Sequence, residues 1–191
     1  MDAAAADFDE YTSALGRFIS MFAEIETLVR VLLHNEVGIS EKKLESLIGT
    51  PTIAPCIDIL RAYATLSGMP EKTLAAVDQI FSQLKHIRDL RDRLVHCGGH
   101  PLGNGQILIR PAWKNRRTAG QPDTVFMLSD LEHARLDMIT TRNKLVYHFH
   151  WKNHHEEFFQ DLEPHVREPW LYKPRAPSQT SPRQKAKKDS P

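Results

Sequence analysis

Cysteine is scarce: Cys56 and Cys97 are the only two in 191 residues. Two thiols build neither a disulfide framework nor a four-ligand metal set, and reduced thiols in a cytoplasm are the simplest reading. No apolar run approaches the roughly 20 residues that span a bilayer. The opening "MDAAAADFDE" is acidic and has no apolar signal core. A cytoplasmic protein with no membrane segment is expected. Glycine is sparse as well, with nine residues, and none falls in a Walker loop, a G-x-S-x-G elbow or a Rossmann fingerprint. No cofactor is expected.

Hydrophobic residues make up 41% of the chain and charged residues 26%, enough for one packed domain. The net charge of +1 is unevenly spread. From Lys173 onward, Lys173, Arg175, Arg183, Lys185, Lys187 and Lys188 face a single acid, Asp189, so the body is mildly acidic and the tail basic. "PRAPSQTSPRQKAKKDSP" has the composition of a disordered tail. The expected division is a helical domain over residues 1–160 and a basic, proline-rich tail over 161–191.

Apolar residues at Leu15, Phe18, Ile19, Phe22, Ile25, Val29, Leu32 and Leu33 fall at helical spacing and predict a helix from about Asp9 to Asn35. Ser40 is placed to cap a short helix through Leu47. Further helices are expected over about Ala54–Leu66 and Glu71–His96, the second with Leu74, Val77, Phe81, Leu84 and Val95 on its inner side. "QILIRPAW" and "DTVFML" read as two short strands around a polar turn. Ser129 and Glu132 form an S-x-x-E box that predicts a long helix from about Asp130 to Phe159. The expected fold is all-α: an antiparallel bundle of four to five helices with a small β-hairpin inserted before the last long helix.

Charge interrupts three of these faces. Glu26 falls four residues after Phe22 in the apolar stripe of the first helix. Arg88 and Arg91 follow Leu84 by four and seven, and Arg142 lies in line with Met138, Leu145 and Phe149. A buried carboxylate is costly unless paired, so Glu26 with Arg88 or Arg142 is expected as a structural ion pair. Arg91 would then remain for chemistry with His96. An arginine supplies a permanent charge and a planar donor fork for phosphate oxygens. A histidine titrates near neutrality and moves protons.

Arg91-Asp92-Arg93-Leu94-Val95-His96 resembles the R-x4-H motif of the HEPN superfamily, with a polar residue directly after the arginine and Gly98 shortly beyond. "GRFISMFAEIETLVRVLL" resembles the first helix of bacterial HEPN-like proteins, and the resemblance covers about residues 12–155. It implies a metal-independent endoribonuclease, of the kind found in toxin–antitoxin, phage-defence and CRISPR systems. It also implies a homodimer whose two motifs meet across the interface. Arg91 would hold the scissile phosphate. His96 would act as general acid/base, with a 2′,3′-cyclic phosphate as product. Asp92 would orient one of them. RNA, and an antitoxin or other regulator, are the implied partners. In HEPN toxins controlled by a nucleotidyltransferase antitoxin a tyrosine stands two residues after the histidine; here that position is Gly98, which puts this control in doubt. The superfamily also contains members without catalysis, so a non-catalytic helical dimerisation or interaction module is the alternative.

Other patterns are weaker. His150 and His154 are four apart and Glu157 follows, but H-x3-H-x2-E is weakly specific, and a solvated, histidine-rich helix end with no metal is expected. Trp113, Arg116 and Arg117 on the hairpin suit either nucleic-acid contact or a cover for the bundle end. The basic tail suits polyanion contact or simple solvation. Cys97, at a helix C-terminus, is not in a setting that favours a thiolate.

Overall fold

Tyr11, Ala14, Phe18, Phe22, Ile25, Val29 and Leu32 recur at steps of three and four, and all seven are buried. That spacing keeps one stripe facing the core along a single helix. In the computed structural model, which describes residues 3–49, 52–109, 124–150 and 162–174, this helix, α1, spans Ala3–Leu32. It continues as one π-helical turn, Leu33–Val37, and ends at Gly38, whose φ of 72° suits a residue without a Cβ. Ser40 caps α2 (Glu41–Ile48) by accepting from the Lys43 backbone N–H at 3.4 Å. α3 spans Ile53–Leu66, and Pro70 opens α4, Glu71–Cys97. α5 spans Leu128–His150.

α1 packs on α3 and α5, and α4 packs on the same two helices. The four long helices thus close a ring with α1 and α4 at opposite corners. Phe18, Phe81, Phe149, Leu60 and Leu84 fill its centre. No helix among the described residues is long and apolar enough to cross a membrane.

The β element is larger than a hairpin. β1 (His100–Gly103), β2 (Gln106–Ile109) and β3 (Thr124–Met127) form an antiparallel sheet in the order β1-β2-β3. The β2–β3 pair is the expected one. β1 joins through Asn104 and Gly105, both at positive φ (53° and 68°), as a two-residue hairpin turn requires. Ile107, Ile109 and Phe126 point inward and cover the bundle end.

α5 starts before the expected S-x-x-E box. Asp130, not Ser129, holds the entry, its Oδ2 accepting from the Met127 N–H at 2.8 Å. Glu132 is taken by Arg135, with Oε1 2.6 Å from Nη2. That pairing holds the Glu132 carboxyl below the ordinary range.

The folded unit also extends past the expected boundary at residue 160. After a helical turn at residues 162–166 the chain runs extended along α5, with Tyr172 buried. Asp137, fully buried, fastens this strap. Its Oδ1 accepts from the Leu171 N–H at 2.8 Å, and its Oδ2 from the Tyr172 N–H at 2.9 Å and Gln83 Nε2 at 2.7 Å. Thr140 Oγ1 donates to Glu168 Oε2 at 3.1 Å, and Lys144 Nζ donates to the Glu168 carbonyl at 2.9 Å. Residues 175–191, the rest of the expected tail, lie outside the described residues.

Candidate functional site at the end of helix α4

The last two turns of α4 carry the R-x4-H residues, and their placement follows from which face is buried. Ile80, Leu84, Ile87, Leu90, Leu94 and Cys97 are buried; Val95 is half exposed, at 50%. The inner face therefore drifts around the helix towards its C-terminus, and Val95 does not belong to it. Arg88 and Arg91 sit on the margin of this face rather than at its centre.

The expected ion pair is not formed. Arg88 Nη2 lies 2.9 Å from Asp89 Oδ1. Arg142 is exposed. Among the described residues nothing pairs Glu26 with either arginine. The cause is angular: Glu26 lies about 80° around α1 from Phe18, and Arg142 about 40° around α5 from Met138. Both are at edges that helical spacing alone assigned to the interior. Glu26, half buried, acts instead on Cys56. Burial raises this thiol, Arg30 opposes the rise, and Glu26 adds to it.

Arg91 is the most constrained of the three. Its side chain is 31% exposed, and Nη1 donates to Asp92 Oδ1 at 2.9 Å. The guanidinium carbon lies 5.5 Å from the centre of the Phe22 ring, a cation–π contact to α1. Nε is buried with no hydrogen-bond partner, and Nη2 donates no hydrogen bond among the described residues. The Nε–Nη2 edge, one bidentate face of a guanidinium, thus carries no hydrogen bond among the described residues, and its Nε is closed to solvent.

His96 is exposed in the last turn. Gly98 (φ 69°) closes the helix, its N–H donating to the Leu94 carbonyl at 3.0 Å. Gly99 follows against the buried ring of Tyr11: a Cβ there would lie 2.3 Å from the Tyr11 hydroxyl oxygen. The helix end is thereby locked to α1. Asp92 and His96, four apart, share a face. Arg91 and His96, five apart, diverge by about 140° with a rise of about 7.5 Å. One chain positions the arginine and presents the histidine, but does not turn them to the same side.

No group of three or more His, Cys, Asp or Glu that could hold a metal occurs among the described residues. His154, Glu157, Trp113, Arg116 and Arg117 lie outside them. Sequence reasoning missed the Asp137 clasp and the strap it fastens. The signal was "PWLYK", an aromatic cluster inside a stretch assigned to the tail on its prolines and lysines. No family model matches the chain, and neither a curated protein nor a solved structure matches it.

Proposed function

We propose that the chain is a metal-independent endoribonuclease of HEPN type, acting as a homodimer through Arg91, Asp92 and His96. The supporting observation is the state of Arg91. Asp92 and Phe22 fix its guanidinium beside a helix end that presents His96 to solvent. A guanidinium charge fixed in place and partly exposed suits a phosphodiester oxygen and the charge that grows on it in the transition state.

The divergence of Arg91 and His96 on one helix is the reason to require two copies. Across a two-fold axis, the arginine of one copy and the histidine of the other can face a common phosphate. One His96 removes the proton of the ribose 2′-OH as O2′ attacks phosphorus. The P–O5′ bond breaks, and the protonated His96 of the second copy gives its proton to the departing O5′. The products are a 2′,3′-cyclic phosphate and a 5′-hydroxyl. A place in bacterial toxin–antitoxin, phage-defence or stress systems, a cytoplasmic setting, and an antitoxin or regulator as partner belong to the same proposal.

Arg91→Ala and Arg91→Lys test it. Both should lose RNA cleavage about a hundredfold or more, since lysine keeps the charge but not the fork, while urea unfolding shows both variants folded. Equal cleavage by wild type and folded Arg91→Ala would overturn the assignment. A second reading is a helical interaction module that cuts nothing. The Phe22 and Asp92 contacts favour it, because they give Arg91 a structural task. On that reading Arg91→Ala destabilises the bundle and no RNA is cut by any form.

A further inference from the structure

The first turns of α4, the last turns of α5 and the strap enclose a groove of about 430 Å³, within the usual span of about 300–1,000 Å³ for small-molecule sites. It lies at the opposite end of α4 from His96: Lys72 and Arg91 are separated by about 28 Å of helix rise. Three features of its lining point to one ligand chemistry.

The first is charge. Lys72 and Lys144 face the groove. Its one carboxylate, Glu163, is taken by Arg167 through a short ion pair. The lining is therefore cationic with no free acid among the described residues. The second is the state of Lys144. It is half buried, its ammonium stands 4.1 Å from the centre of the Trp170 ring, and one of its three N–H bonds goes to the Glu168 carbonyl. Burial lowers its affinity for a proton despite Asp137 and Glu168 nearby, so an anion would relieve an existing cost. The third is aromatic surface. Trp170, Tyr147 and His148 line the same space, with Gln79 and Thr73 as neutral hydrogen-bonding groups at its edge. Burial, reinforced by Lys144, favours the neutral imidazole of His148, leaving it able to accept as well as donate. The wall that carries Trp170 is fixed in place by the Asp137 clasp.

We infer that this groove binds a nucleotide unit, with the phosphate between Lys72 and Lys144 and the base against the Tyr147 ring. Lysine ammoniums serve phosphates as point charges, and base–aromatic stacking tolerates any base. The same unit is offered by a free nucleotide or by the phosphorylated end of an RNA.

Calorimetric titration of the full chain with adenosine 5′-monophosphate is the test. The probe has no phosphodiester to cut, so binding is read whether or not the protein is a nuclease. Binding is expected, weakened about tenfold by Lys72→Ala and by Lys144→Gln, and weaker for adenosine than for its monophosphate. Lys72 is exposed, so its variant keeps the test valid if Lys144→Gln loosens the strap. A 5′-phosphorylated oligoribonucleotide and its 5′-hydroxyl counterpart separate the sources. If only the phosphorylated oligomer binds, with the same dependence on Lys72, the occupant is an RNA end and the inference stands. Binding by neither probe overturns it, as does binding that Lys72→Ala leaves unchanged.

Discussion

Replacing Asp137 by alanine should be among the most damaging single changes outside the apolar core. The carboxylate is fully buried and accepts three hydrogen bonds, from the Leu171 and Tyr172 backbone and from Gln83, all within 2.9 Å. Bonds to a charged group contribute about 1.5–3 kcal/mol each. The desolvation of the carboxylate offsets part of that sum. Its loss also strands two backbone N–H groups, while Gln83 keeps its bond to the Tyr172 carbonyl at 3.0 Å. A net cost of about 3–5 kcal/mol follows, or about 10 °C in melting temperature for a chain of this size. If the strap detaches alone, the fall in melting temperature is smaller and the damage is local. Limited proteolysis and hydrogen exchange would then show residues 162–174 opening first. Circular dichroism melts and proteolysis of Asp137→Ala separate these cases. A variant that melts with the wild type and keeps the strap protected would refute the clasp.

Three further outcomes are expected. Gly99→Ala should destabilise the fold measurably in urea, because its Cβ would meet the Tyr11 hydroxyl oxygen at 2.3 Å and Ile107 Cγ2 at 3.0 Å; Gly99→Ala paired with Tyr11→Phe should recover part of the loss. The strap should be acid-labile. His148 is held below its ordinary value by burial, and Glu168 by its hydrogen bond to His165. In both cases the unfolded chain takes up protons that the folded chain resists. Stability from His148 is therefore full above about pH 6.5 and is lost as pH falls below it, and that from Glu168 is lost below about pH 4.3. A urea midpoint that stays flat from neutral pH down to about pH 4 would contradict this. Cys56, buried with its thiol pushed up, should react with a disulfide reagent far more slowly in the native protein than in denaturant; equal rates would show the thiol is not protected.

Long apolar periodicities made most of the bundle readable. α3 and α4 begin and end close to where spacing places them, and α1 ends near its expected end but starts at Ala3, six residues before the expected Asp9. The β2–β3 pair was equally readable, from two short β-rich runs around a polar turn. Readings failed where a local signal was overruled by distant packing. "CGGHPLGNG" looks like a helix stop, yet Asn104-Gly105 is a hairpin turn and adds β1. Helical spacing traces the inner face of α4 from Leu74 through to Val95, but Ile87, Leu90 and Leu94 carry the packing as the face rotates. That error placed Arg88 and Arg91 deeper than they are, and the ion pair with Glu26 depended on it. The strap was unreadable for a different reason. Its composition is that of a tail, and what orders it is a set of long-range contacts centred on Asp137 and joined by Thr140 and Lys144, on a helix face that gives no sequence cue. The motif names Arg91, Asp92 and His96 as candidates, but the roughly 140° between Arg91 and His96 follows from helix geometry and is hidden when the motif is read as a string.

The most direct measurement is end-group analysis of RNA incubated with the purified full-length chain in EDTA, beside His96→Ala. The exposed His96 makes no contact on which the fold depends among the described residues, so its loss should leave the melting curve in place. The wild type should give fragments ending in 2′,3′-cyclic phosphate, the variant should cleave at least about a hundredfold less, and neither should cut at a nucleotide whose 2′-OH is replaced by hydrogen. Cleavage that persists in His96→Ala, or that proceeds at the 2′-deoxy position, would contradict it.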